Sequence, residues 1–114
     1  MVLPEKGHLL RIFIGESDKY EGMPLYEWIV RKARENNIAG STVLRGLEGF
    51  GAHSIIHTAK ILRLSEDLPI IIEIVDTLEK IEKFMPVIDD AITEGLATIE
   101  KVEIQFYRSG KKEL

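Results

Sequence analysis

The residue types best suited to chemistry are concentrated in one stretch, Gly40-Ser41-Thr42-Val43-Leu44-Arg45-Gly46-Leu47-Glu48-Gly49-Phe50-Gly51. Gly46, Gly49 and Gly51 fall within six residues, and without Cβ atoms their backbone N–H groups can come close to an anion. Arg45 beside them can pair with a phosphate or a carboxylate through its planar fork of donors. The pattern reads as anion recognition by a loop. Glycines at this density also serve simply to turn a chain into a long loop, and spacing alone does not separate the two readings. The Gly-Lys-Ser/Thr of a nucleotide-binding P-loop is absent, as is a dinucleotide fingerprint.

Other candidates are weaker. His53 and His57 lie four apart, which on a helix would put both on one face and hold a metal. Their segment has no helical pattern and no Cys, and the nearest acid is Glu48, so a solvated or partner-facing role is the plainer reading. Glu16 and Asp18 stand in a break ahead of a helix. They would serve as an acid–base pair or a cation site, or as caps of the turn, which is the preferred reading. Ser17, Ser41, Ser54, Ser65 and Ser109 lack a nucleophile-elbow setting. A Ser54–His pair on a loop suits preorganised catalysis poorly. The expectation is a protein that binds a ligand, not an enzyme.

Composition narrows the class further. The 114 residues suit one domain spanning 1–114, and 45% hydrophobic with 30% charged residues is a globular balance. With no cysteine, disulfides and thiolate chemistry are excluded. A net charge of −4 with scattered Lys and Arg argues against nucleic acid as a partner. The N-terminal residues lack the apolar core of a signal peptide, and the longest apolar run, Pro69 to Ile72, is far too short for a bilayer. A cytoplasmic location is expected. The bias toward Glu, Lys and Ile, with one Gln, is similar to that of thermophile proteins.

Hydrophobic periodicity supplies the elements that would position the loop. His8 to Ile14 alternates as a strand, and Gly15 to Lys19 breaks it. Pro24 opens a helix to about Asn37, with Leu25, Trp28, Ile29 and Ala33 inward and Glu27–Arg31 paired on the surface. Strands are expected at Thr42 to Leu47, Ala59 to Leu64 and Ile99 to Tyr107; the run Ile70 to Val75 reads either as a separate strand or as the far part of one long strand with Ala59 to Leu64. Asp76 and Glu79 read as a capping box. It opens a second helix with Leu78, Ile81, Met85, Ile88 and Ile92 inward, bent by Pro86 and closed by Gly95. The order is that of an α+β, ferredoxin-like split β-α-β fold, an antiparallel sheet with two helices on one face. The other sheet face would carry Phe13, Ile71 and Tyr107 among Arg11, Glu73, Lys101 and Glu103. It is expected to face copies of the chain.

These motifs carry a resemblance. Ile38-Ala39-Gly40-Ser41-Thr42-Val43, followed by Gly49-Phe50-Gly51, resembles the second strand of PII signalling proteins entering their mobile T-loop. Leu68-Pro69 with Ile72-Glu73-Ile74-Val75 resembles the returning strand, and Arg108-Ser109-Gly110 the Arg-Thr-Gly after the last strand. Gly15-Glu16-Ser17-Asp18, Pro24-Leu25-Tyr26-Glu27, Thr42-Val43-Leu44-Arg45-Gly46 and Ile74-Val75-Asp76 resemble a PII-like family of unknown function over the whole chain. The resemblance implies a PII-like regulatory protein. It would be a homotrimer with a small anionic ligand, such as an adenine nucleotide, in the clefts between subunits. Arg45, Gly46, Gly49, Phe50 and Gly51 would form the loop base, and Arg108 would contact phosphate. It also implies a protein partner engaged through loop 48–58. That partner would be an enzyme or a membrane transporter, since some relatives accompany fluoride-channel-type proteins. Glu94-Gly95-Leu96-Ala97-Thr98 is shorter than the second phosphate loop of PII proteins and has no lysine. No tyrosine between Ala52 and Lys60 matches the one that some PII proteins modify. CutA-type metal-binding oligomers share the architecture, and an enzyme using Glu16, Asp18 or the loop histidines is the remaining alternative.

Overall fold

The computed structural model describes residues 5–52, 57–58 and 67–110. Strand β1 (Lys6–Gly15) leads into a hairpin of β2 (Lys19–Tyr20) and β3 (Met23–Pro24), then helix α1 (Leu25–Glu35) and strand β4 (Ser41–Arg45). Short strands β5 (Glu48–Gly49) and β6 (His57–Thr58) pair with each other. Strand β7 (Pro69–Asp76), helix α2 (Leu78–Asp89) and strand β8 (Leu96–Glu103) complete the order. The main sheet runs β4-β7-β1-β8, antiparallel throughout, which is the split β-α-β arrangement. The expected strand at Ala59 to Leu64 lies outside the described residues.

The core lies between the sheet and the two helices. Leu10, Ile12 and Ile14 of β1 and Ile70, Ile72 and Ile74 of β7 alternate inward. They meet Leu25, Trp28, Ile29 and Ala33 of α1 and Ile81, Phe84 and Ile88 of α2. Each fully buried isoleucine contributes on the order of 2 kcal/mol by leaving water. On α2 the inward stripe passes through Phe84, while Leu78 is exposed. Pro86 sits within α2.

The local start and stop signals differ in detail from those expected. Pro24 is the residue before α1, and the Leu25 N–H donates to the Asp18 carbonyl at 2.7 Å. Asn37 takes a left-handed φ of 58° after α1, a conformation asparagine tolerates. Thr77, not Asp76, caps α2, its hydroxyl accepting from the Lys80 N–H at 3.2 Å. Asp76 is instead fully buried, and its two carboxylate oxygens accept from the Thr77 N–H at 2.7 Å and the Ala39 N–H at 2.8 Å. Gly95 does not close α2, which ends at Asp89. A Cβ there would lie 2.7 Å from the Phe13 carbonyl oxygen, so glycine is needed for close approach.

Register shows what the uncovered sheet face carries. Directly opposed residues form one polar row, Thr42·Glu73·Arg11·Thr98, and one apolar row, Leu44·Ile71·Phe13·Leu96. Lys101 and Glu103 oppose His8 and Lys6, so they belong to the helix side; the second acid of the uncovered face is Glu100. The last strand also starts and ends earlier than the Ile99 to Tyr107 expected. The helices shield the middle strands and leave both edge strands bare: Leu44 is 43% exposed, Leu96 57% and Ile99 43%.

Candidate functional site

The two stems of the long connection between β4 and β7 meet at the end of β1. Arg45 ends β4 opposite Ile70. The Gly46 N–H donates to the Pro69 carbonyl at 2.7 Å, and the Glu16 N–H to the Leu68 carbonyl at 2.9 Å. The Ser17 N–H donates to Asp67 Oδ1 at 2.8 Å. Cβ atoms on Gly46 and Gly49 would stand 3.2 and 2.9 Å from the Pro69 ring. The two glycines therefore allow tight packing on Pro69, and the Gly46 N–H is already committed to the chain itself. Gly51 has open space around it, and Phe50 is 69% exposed.

Arg45 is the charged group of this base. Its guanidinium donates to Glu16 Oε1 at 2.9 Å and remains largely in solvent. Asp18 plays the capping part expected of it, Oδ2 accepting from the Gly15 N–H at 3.0 Å. Among the described residues no group of three His, Cys, Asp or Glu could hold a metal ion. His53 lies outside the described residues, and His57 enters only through its backbone pairing with Gly49.

Arg108 belongs to a different part of the molecule. After β8 the chain crosses the far end of the sheet as a strap. The Ile104 N–H donates to the Glu5 carbonyl at 2.6 Å, and the Tyr107 hydroxyl to the Ala39 carbonyl at 2.6 Å. The Arg108 guanidinium lies 4.2 Å from the centre of the Phe106 ring, a cation–π distance. Beneath the strap, Leu9, Arg11, Thr42, Glu73 and Val75 help line an open groove of ≈ 700 Å³. Arg11 is its charged floor, with Nε 2.9 Å from Glu73 and Nη1 2.7 Å from Glu100. The hydrogen bond to Glu73, more than any other influence, holds the Arg11 proton more firmly than in a free guanidinium.

Arg45 and Arg108 therefore do not meet within one chain. Arg45 marks the end of β4, while Tyr107 is tied to Ala39 ahead of its start. Four strand steps of about 3.3 Å separate Ser41 from Arg45, roughly 13 Å. Sequence reading missed Tyr107, Pro69 and the pairing role of Glu16. All three act through contacts distant in sequence.

A family model described as DUF190, "Uncharacterized ACR, COG1993", matches residues 7–104. The chain belongs to the DUF190 family. The matched segment contains Arg45 and the loop-base glycines and stops short of Arg108. Relatives of this DUF190 chain include a UPF0166 protein of Aquifex aeolicus (strain VF5). It is 38% identical over 99 residues, 87% of this chain and 93% of the relative. A UPF0166 protein of Methanocaldococcus jannaschii is 37% identical over 95 residues, 82% and 87% of the two chains. Among solved structures, the DUF190 fold matches CPII, a nitrogen regulatory PII-like protein from Thiomonas intermedia K12, solved with ADP, AMP and bicarbonate. The TM-score is 0.67 at 15% identity, over 87% of this chain and 88% of that one. A putative PII-like signaling protein from Thermus thermophilus matches with a TM-score of 0.58 at 16% identity, over 87% and 88%. The fold of this DUF190 chain is that of PII-like proteins. No helix among the described residues is long and apolar enough to cross a membrane.

Proposed function

We propose that this chain is a PII-like regulatory protein. It binds a small anionic effector, an adenine nucleotide first among them, in clefts between the subunits of a homotrimer. The observation that carries this reading is the separation of Arg45 from Arg108. Each is a solvent-facing guanidinium at one end of the sheet, and one anion reaches both only if a second copy brings its strap to the first copy's loop base. The bare edge strands and the apolar row Leu44·Ile71·Phe13·Leu96 give a second copy a surface to cover. CPII, which shares the fold, was solved with ADP and AMP.

The roles divide by chemistry. Arg45 and Arg108 carry the charge, because the connection from α2 to β8 has no lysine and its Gly95 is pressed on Phe13. Gly46, Gly49 and Gly51 shape the base, and the exposed Phe50 ring offers a surface for stacking. Effector binding at the loop base changes the contact of segment 48–58 with a partner protein, an enzyme or a membrane transporter. The protein binds without turnover, in the cytoplasm.

The test is thermal shift against ATP, ADP, AMP, 2-oxoglutarate and bicarbonate, with light scattering for the mass. A bound effector raises the midpoint. The expected result is a shift with a nucleotide on a trimer, lost in Arg45→Ala and in Arg108→Ala. Leu44→Glu, on the apolar row, should lower the mass to that of one chain and abolish the shift. A monomeric wild type, or no shift with any of these anions, overturns the reading.

A further inference from the structure

The guanidinium proposed to meet the effector already holds an anion. Arg45 donates to Glu16 Oε1 at 2.9 Å, and the Glu16 side chain is only 24% exposed against 59% for Arg45. Glu16 is fixed by its main chain: its N–H holds the Leu68 carbonyl at 2.9 Å, and the next N–H, that of Ser17, holds Asp67 Oδ1 at 2.8 Å. The carboxylate thus stands on the end of β1 beside the returning stem. The guanidinium it takes belongs to the last residue of β4, on the outgoing stem. The ion pair ties the outgoing stem to the block that already holds the returning one.

A carboxylate presents the same acceptor oxygens to a guanidinium that a phosphoryl group does. An incoming anion must therefore take Arg45 from a group that is always present at the site. Its apparent affinity falls by the fraction of molecules in which Arg45 is engaged. We infer that Glu16 is a resident competitor for the anion at Arg45, setting how much effector is needed to occupy that guanidinium. The inference rests on the proposed function in one respect, that Arg45 contacts the effector. Exposed ion pairs are weak, so the competition is modest, about two- to five-fold in affinity.

The experiment is calorimetric titration of ADP into the intact wild-type protein, Glu16→Gln and Glu16→Asp. Thermal melts check folding; both variants keep the main-chain bond to Leu68. Glu16→Gln removes the charge, whereas Glu16→Asp keeps it and draws it back by one methylene. If Glu16 competes by contact, both variants bind ADP about two- to five-fold more tightly than wild type. If only Glu16→Gln tightens, the effect is that of a nearby negative charge, and the competitor is ruled out. Unchanged or weaker binding in both variants also overturns it, and leaves the proposed function standing where wild type binds ADP. If wild type binds no ADP and both variants do, the competitor is supported in its strongest form. If none of the three binds, both readings fall.

Discussion

The Tyr107 hydroxyl donates to the carbonyl oxygen of Ala39 at 2.6 Å, joining the strap after β8 to the chain two residues ahead of β4. β8 and β4 are opposite edges of the sheet, so the strap crosses its full width and this bond fastens the strap's far end. It also fixes the residue just before Arg108, whose guanidinium rests on Phe106.

Tyr107→Phe keeps the ring and removes the bond. Because Tyr107 is partly exposed, water replaces the lost partner, and the cost should be about 0.5–1 kcal/mol. Urea unfolding measures that loss. Hydrogen exchange at the Ile104 N–H, which bonds to Glu5, should quicken as the strap loosens. An unchanged exchange rate at Ile104 would show that the strap is held by other contacts.

Asp76 offers a sharper test, because its carboxylate is fully buried and serves two N–H groups. Asp76→Ala leaves the Ala39 and Thr77 donors unpaired at about 1–3 kcal/mol each. Asp76→Asn keeps one acceptor oxygen where the carboxylate had two, so it should cost less. Denaturant midpoints should rank wild type above Asn above Ala. Equal midpoints for the two variants would mean that the oxygen kept by Asn is offset by its NH2 group facing the other N–H donor.

The loop-base glycines should respond unequally to alanine. Gly49→Ala drives a Cβ against Pro69, an overpacking worth about 1–3 kcal/mol. Gly51→Ala meets nothing within 4 Å and should be close to neutral. Pro69→Ala in the Gly49→Ala background should recover part of the loss, a non-additivity expected of touching residues. Additive effects would show that the added Cβ at Gly49 does not act through Pro69.

How far the sequence revealed the molecule depends on whether the controlling contact was local. The α1 stripe was legible because Leu25, Ile29 and Ala33 recur every four residues and Trp28 lies beside them. β1 and β7 were legible because burial alternates along both. The last strand was misread because alternation continues through Ile104 and Phe106 after the backbone has left the sheet. Ile104 packs there over Gly7, where a Cβ would lie 2.8 Å from its Cδ1. Lys101 and Glu103 were placed on the wrong face for the same reason: β8 is exposed on both sides, so its pattern names no interior.

At the site, Arg45 was recognisable from its type and its glycine neighbours. Its actual partner, Glu16, was not, since strand order alone brings the two together. The glycines read as admitting an anion to their N–H groups or as simple turn formers; at Gly46 and Gly49 the group that approaches is the Pro69 ring, while Gly51 has open space. Asp76 was taken for a helix cap because it stands two residues before α2. Its burial, and its bond to Ala39 across the sheet, follow only from the pairing of β4 with β7.

The central position of β1 has a consequence for how the chain is made. β1 is synthesised first, yet its neighbours on the two sides are β7 and β8, so neither exists until the ribosome has passed Asp76 and then Glu103. Until then Leu10, Ile12 and Ile14 have no sheet to enter. Pairings this distant in sequence are slow to close, and an unpaired apolar strand invites association with other chains. Release of the finished C-terminal third, rather than growth of the N-terminal part, should therefore set when this protein folds, and nascent chains stopped before Leu96 should depend on chaperones.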